Sequence, residues 1–197
     1  VGPPMFKLLI RVEYNDDTIE YFKTNANDYY QKIGPIQMND IYLGEWYDAT
    51  KETPGWLNTD YDYKSNGWTK AQIITNATVG KLLSSAIMPK ARKLEKFTAV
   101  SVKSPAKGVY VFDLGQNIAG LSRITIPGNS MKGKNVTIIH SEELDPNGFV
   151  NGNMYKNSPM IGNYTMRGDG KEEVYEGSFT YYGFQYVQVM GYPSDTI

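Results

Sequence analysis

From Lys7 to Tyr14 the chain reads KLLIRVEY, with Leu8, Ile10, Val12 and Tyr14 on one face. Lys7, Arg11 and Glu13 fall on the other face, and Leu9 is the exception. A period of two predicts a β-strand. Asn15 to Asp17 is a turn and Thr18 to Thr24 is the return strand of a hairpin. From Gly34 to Trp68 no period persists, and Pro35, Pro54-Gly55 and Asn66-Gly67 divide the chain into turns. Thr69 to Ile74 resumes a strand. Val79 to Leu94 reads two ways. KLLSSAIM suits a helical turn, whereas Pro89 and the basic run PKARK suit an extended linker. The linker reading places a domain boundary near Pro89, giving domains 1–89 and 90–197.

The second half carries a denser pattern. Strands are predicted at Phe97–Val102, Val109–Asp113, Ser122–Ile126, Asn135–Ser141, Asn163–Arg167, Glu172–Tyr175 and Tyr186–Met190. Turn signals separate them at Pro105 to Gly108, Pro127-Gly128, Asp145 to Gly148 and Gly168 to Gly170. Many short strands with regular turns indicate a sandwich or barrel rather than βαβ units. The 16 Tyr, 7 Phe, 3 Trp and 19 Gly favour the same class, because aromatics suit pleated surfaces and Gly supplies turn conformations. The expectation is an all-β chain of two small antiparallel β-sandwich domains.

Charge and composition remove several partners. With 20 basic and 21 acidic residues, the net charge of -1 gives no footprint for displacing counterions from nucleic acid. Zero Cys removes disulfides, thiolate metal sites and Cys nucleophiles. No apolar run approaches the roughly 20 residues that span a bilayer, so no membrane partner is expected. The opening VGPPMFK lacks a basic region followed by an apolar core, and Val1 suggests a fragment or processed product.

Five groups of side chains could carry chemistry. His140 is the sole His and would have to be the base of any Ser-His-Asp triad. Its neighbour Ser141 points to the opposite face of a strand, which favours a His that hydrogen-bonds a loop. Glu142, Glu143 and Asp145 could hold a glycosidic bond between two carboxylates, but they read better as a strand end with a solvated turn. Asn58, Asp60 and Asp62 offer oxygen ligands for Ca²⁺. The run NTDYDYKSNG lacks the Gly and terminal Glu of an EF-hand loop, and a polar loop is favoured. Trp46, Trp56 and Trp68, with Tyr61 and Tyr63, are either platforms for a sugar ring or core residues. Gln116 and Asn117, between Gly115 and Gly120, either bind sugar hydroxyls or satisfy buried backbone groups in a bent connection. Asn76, Asn135 and Asn163 open glycosylation sequons, which arise often by chance.

Several motifs together resemble one family. Phe112, Asp113, Leu114, Gly115, Gln116, Asn117 and Gly120 fit a Phe-Asp-Leu-Gly-Gln-Asn-x-x-Gly pattern. His140, Glu142, Leu144 and Gly148 follow at the expected spacing. Then come Gly162-Asn163-Tyr164, Tyr175-Glu176, Phe179-Thr180-Tyr181 and Gly183-Phe184. Earlier, Ile41-Tyr42, Gly44-Glu45 and Tyr47-Asp48-Ala49 resemble a DGE-x-YDAR signature, with Gly55-Trp56 and Gly67-Trp68 behind it. In that order they resemble bacterial α-L-rhamnosidases. Leu43, Thr50, Tyr182 and Gln185 depart from the pattern, which bears on contacts to neighbouring domains rather than on the fold.

The resemblance implies the end of an N-terminal β-sandwich domain followed by a jelly-roll or concanavalin-like domain. The family's acid and base lie in a six-hairpin α/α-barrel that would follow this chain, so no residue here inherits a catalytic role. It further implies a parent that cleaves rhamnose from glycans, periplasmic or extracellular, with its own barrel as the partner of this chain. No cofactor is carried over beyond the Ca²⁺ alternative. Two rivals remain: a free-standing carbohydrate-binding module, and a hydrolase centred on His140 and Glu142.

Overall fold

The structure is a computed structural model and describes residues 5–75, 88–128, 131–152 and 158–194. The strands, in chain order, are β1 (Leu9–Glu13), β2 (Ile19–Lys23), β3 (Tyr30–Gln31), β4 (Ile36–Asp40), β5 (Gly44–Asp48), β6 (Thr69–Lys70) and β7 (Ser101–Ala106). They continue with β8 (Val109–Gly120), β9 (Arg123–Ile126), β10 (Asn135–Ser141), β11 (Ile161–Thr165), β12 (Glu173–Glu176) and β13 (Tyr182–Met190). A single 3₁₀ turn, Ala49–Lys51, follows β5. The chain is all-β: no α-helix occurs among the described residues. Part of the expected Val79–Leu94 linker, residues 76–87, lies outside them.

Two compact units form, one from Val1–Lys32 with Pro54–Pro89 and one from Ile33–Thr53 with Lys90–Ile197. In the first, β1 and β2 make an antiparallel hairpin with Val12 opposite Glu20. Asp17 takes a φ of 66° at the turn, where its neighbour Asp16 accepts from Thr18 N. Short polar side chains that bond their own backbone tolerate such turns. β3 and β6 form a second, two-residue antiparallel pair. Strand β6 stops at Lys70, short of the expected Ile74, because β3 offers it only two partners.

The second unit holds a seven-stranded sheet in the order β4-β5-β11-β10-β13-β8-β7, with β12 and β9 as a separate pair. β10 shows the alternation of one buried face, with Val136, Ile138 and His140 inside. Ile124 and Ile126 of β9 and Tyr175 of β12 join one apolar cluster with Val136, Ile138, Tyr164, Phe184 and Val189 of the large sheet. Burying each such side chain stabilises by about 1.5–3 kcal/mol, so this shared layer holds the two sheets together.

The sequence pattern misplaced several parts of this sheet: β11 lies two residues earlier than the expected Asn163–Arg167, and β13 begins at Tyr182 rather than Tyr186. The stretch expected to be irregular supplies β4 and β5, and β5 pairs parallel with β11, Trp46 opposite Asn163. Gly44 opens β5 at φ 96°, where a Cβ would meet Ile161 O at 2.0 Å, so no other residue fits there. Strand β7 begins at Ser101 and runs through Pro105, beyond the expected Phe97–Val102. Proline is tolerated because β7 is the edge strand and its register slips between Lys103 and Ala106. Strand β8 continues through FDLGQNIAG rather than bending away. Gly115, at φ 75°, absorbs the irregularity while Ile118 to Gly120 pair again with β13.

Candidate functional site

A hollow lined by aromatic rings lies in the first unit. Asp28, Tyr29 and Tyr30 come to it from β3 and the residues before it, Trp56, Asn58, Thr59, Tyr61 and Tyr63 from the turn-rich segment, and Trp68 from the approach to β6. Its volume is about 290 Å³. Turns built on local hydrogen bonds position these rings. Asn58 N donates to Gly55 O, Tyr61 N to Asn58 O, and Trp68 N to Tyr63 O. Asp62 Oδ1 accepts from Lys64 N and Ser65 N, and hydrogen bonding to the Ser65 side chain, then to the Ser65 and Lys64 backbone, holds its carboxyl below the usual carboxylate range. Trp56 and Trp68 stack with centroids 6.2 Å apart at 30°, and Tyr30 and Tyr63 pack at 4.3 Å.

The polar lining is unevenly satisfied. Tyr61 OH and Trp68 Nε1 are buried without a hydrogen-bond partner. Each such group costs about 1–3 kcal/mol. Asp28 receives a bond from Asn25 Nδ2 on Oδ2. The exposed ring of the indole pair is Trp56, at 54%. Of the suggested Ca²⁺ ligands, Asn58 lines this hollow, while Asp62 has one oxygen committed to its own turn. No group of three or more acidic, His or Cys side chains suited to a metal occurs among the described residues.

The other suggested sugar-binding residues lie in the second unit. Trp46 stands on β5, 45% exposed. Gln116 and Asn117 are exposed on β8, and Asn117 Nδ2 donates to Glu142 Oε1 at 2.9 Å. Trp56 and Trp68 are thus brought together, whereas Trp46, Gln116 and Asn117 belong to a different body.

His140 is 2% exposed and sandwiched by rings, stacking on Tyr182 at 4.0 Å and meeting Phe184 edge-on at 4.7 Å. Nδ1 lies 2.9 Å from Met160 O. A carbonyl only accepts, so Nδ1 carries the proton and Nε2 accepts from Ser122 Oγ at 2.8 Å. Burial lowers its pKa to about 4. Ser141 Oγ donates instead to Glu143 O. Glu142 pairs with Asn117, and Asp145 Oδ1 caps its turn by accepting from Asn147 N and Phe149 N. The imidazole is therefore a buried cross-link, and these acidic residues serve local structure.

Two buried carboxylates were not singled out by residue chemistry. Glu45, fully buried, accepts from Tyr175 OH, Asn39 Nδ2 and Ser178 N. Glu173, 1% exposed, accepts from Tyr164 OH and Arg167 N at 2.7 Å and from Gly168 N at 3.0 Å. Burial and then the adjacent carboxylates push the Tyr164 and Tyr175 hydroxyls up, so both remain donors. Arg167 pairs with Glu52 at 2.7 Å and with Asp169 at 2.8 Å. Glu45 takes two of its donors, Tyr175 and Ser178, from more than a hundred residues away, which no local pattern announces, whereas the donors to Glu173 come from β11 and the turn just before β12. The Gly44-Glu45 pair within the family signature was the available signal for Glu45.

Comparison with known proteins fits this arrangement. The model of the α-L-rhamnosidase N-terminal domain matches residues 2–94, and that of the bacterial α-L-rhamnosidase concanavalin-like domain matches residues 103–197. The chain belongs to the bacterial α-L-rhamnosidase family. The α-L-rhamnosidase of Streptomyces avermitilis is 35% identical over 190 residues, 96% of this chain and 18% of the relative. That of an Alteromonas species is 34% identical over 96% of the chain and 20% of the relative. Among solved structures, the α-L-rhamnosidase of Dictyoglumus thermophilum superposes with a TM-score of 0.87 at 36% identity, over 95% of this chain and 20% of that one. The Streptomyces avermitilis enzyme, solved with L-rhamnose, gives 0.86 at 33% identity, over 94% and 17%. The chain thus spans about a fifth of the length of these rhamnosidases. It is an all-β portion of a chain of that family.

Proposed function

We propose that the parent protein hydrolyses terminal α-L-rhamnose from glycans and that this chain supports its catalytic barrel. The observation that carries the reading is the head-to-tail match of two rhamnosidase domains across nearly the whole chain, which itself spans only a fifth of the relatives. The division into an N-terminal-domain portion, 1–89, and a concanavalin-like domain, 90–197, belongs to this proposal, as does export of the parent to the periplasm or beyond. Chemistry would rest on a carboxylate pair in the α/α-barrel. Inversion needs room for a water between them, roughly 6.5–9.5 Å. Here the β-sheets would pack against that barrel and shape the approach to it. The parent polypeptide should release L-rhamnose from an aryl α-L-rhamnoside as the inverted anomer, read by proton NMR in the first minutes. Release of the retained anomer, or no release from correctly folded parent, would overturn the reading.

A carbohydrate-binding module is the second reading, with Trp46, Trp56, Trp68, Gln116 and Asn117 as the contacts. The aromatic hollow favours it, and only Trp56 and Trp68 share that hollow.

A further inference from the structure

We propose that the second unit carries a tyrosine triad that holds and passes on a one-electron oxidation. Tyr47 of β5, Tyr164 of β11 and Tyr175 of β12 pack against one another in every pairing. Ring centroids lie 5.8 Å apart for Tyr47 and Tyr164, stacked at 17°, 5.9 Å for Tyr47 and Tyr175, and 5.0 Å for Tyr164 and Tyr175. Each phenol also has its own carboxylate. Tyr47 OH donates to Glu52 Oε1 at 2.8 Å, Tyr164 OH to Glu173 Oε2 at 2.7 Å and Tyr175 OH to Glu45 Oε1 at 3.2 Å. Phenylalanines would hold the sheets together without burying any carboxylate, and burying one costs free energy. Loss of an electron turns a phenol into a strong acid, so a buried phenol gives one up readily where a base already accepts its hydrogen bond. The electron leaves to a one-electron oxidant, and the phenolic proton crosses the existing hydrogen bond. A neutral tyrosyl radical then faces a neutral carboxylic acid. A one-electron reductant returns the electron and the proton goes back, so no bond between heavy atoms forms or breaks. Contact between the rings lets the electron hole move among them. Tyr164 and Tyr175, 2% and 5% exposed, shelter it from coupling with another molecule. Half-buried Tyr47 is the ring that exchanges electrons with solutes. Zero Cys leaves no thiol in this chain to take the oxidation first.

The test is flash oxidation of the purified chain by a ruthenium(III) polypyridyl complex, generated with light and persulfate and acting as the one-electron oxidant. Transient absorption and electron paramagnetic resonance follow the tyrosyl radical. Nitric oxide, which combines with tyrosyl rings, then marks where the radical rests for peptide mapping. Marks are expected on Tyr47, Tyr164 or Tyr175 in preference to the exposed Tyr21, Tyr42 and Tyr181. Glu52→Gln, at a half-buried site, removes the proton acceptor of Tyr47. Radical formation should slow several-fold in that variant while circular dichroism stays unchanged. Tyr164→Phe combined with Tyr175→Phe should lose the persistent part of the signal. Marks distributed by exposure alone, unaltered kinetics in Glu52→Gln, or an unaltered signal in the double variant would each overturn the proposal. A triad with a purely structural role gives all three of those results. The mapping uses the unaltered chain, so it decides the matter even where the double variant does not fold.

Discussion

His140 shows how burial decides the role of a titratable residue. Its folded pKa of about 4 lies below the ordinary 6.5. Between those values the unfolded chain binds a proton that the folded chain refuses, so acidification favours unfolding. Stability from this residue is complete above about pH 6.5 and falls by at most about 1.4 kcal/mol per unit, about 3 kcal/mol across the window. As the only His, it gives one imidazole signal in the NMR spectrum. That signal should stay at its neutral position from pH 8 to pH 5; a midpoint near 6.5 would mean the ring is not enclosed. Glu173 makes a second test. Glu173→Ala strands Tyr164 OH and two backbone N–H groups in the interior. A loss of about 3 kcal/mol is expected from urea unfolding of the second unit. A change under about 0.5 kcal/mol, typical of surface sites, would contradict the assigned role.

Among the elements, local alternation was the legible part. β10 was placed at Asn135–Ser141 as one of the short strands between turn signals, and β1 with β2 followed from two runs around the turn at Asn15 to Asp17. β4 and β5 were not legible. IQMND alternates over only four residues and GEWYD not at all, and their strand character comes from pairing with each other and from the parallel ladder of β5 to β11, more than a hundred residues away. β8 was truncated in the reading because Gly115 looked like a turn, whereas here glycine accommodates an irregularity inside a strand. The hollow was half legible: Trp56, Trp68, Tyr61 and Tyr63 were visible as aromatics, but their meeting with Asp28 and Tyr30 depends on the β3–β6 pairing. Gly44→Ala tests the close approach of β5 to β11. A Cβ 2.0 Å from Ile161 O must force the strands apart, so fast amide exchange in β5 is expected. Wild-type exchange rates there would refute the contact. β1 and β2, a two-stranded sheet with largely exposed faces, should exchange much faster than β10 and β13, which are paired on both sides. Equal protection would contradict that ranking.

For the molecule as a whole, residue chemistry reached an all-β chain and stopped short of an activity; the ordered family motifs carried the assignment further. His140 and Glu173 lie within hydrogen-bonded cores, and Glu142 accepts from Asn117. We propose that this chain carries no hydrolytic centre of its own. The most direct measurement is release of nitrophenol from an aryl α-L-rhamnoside by the purified 197-residue chain. The account predicts a rate equal to the buffer blank. Turnover above blank that is lost in Glu142→Gln or Asp145→Asn would contradict it and place a catalytic carboxylate inside this β portion.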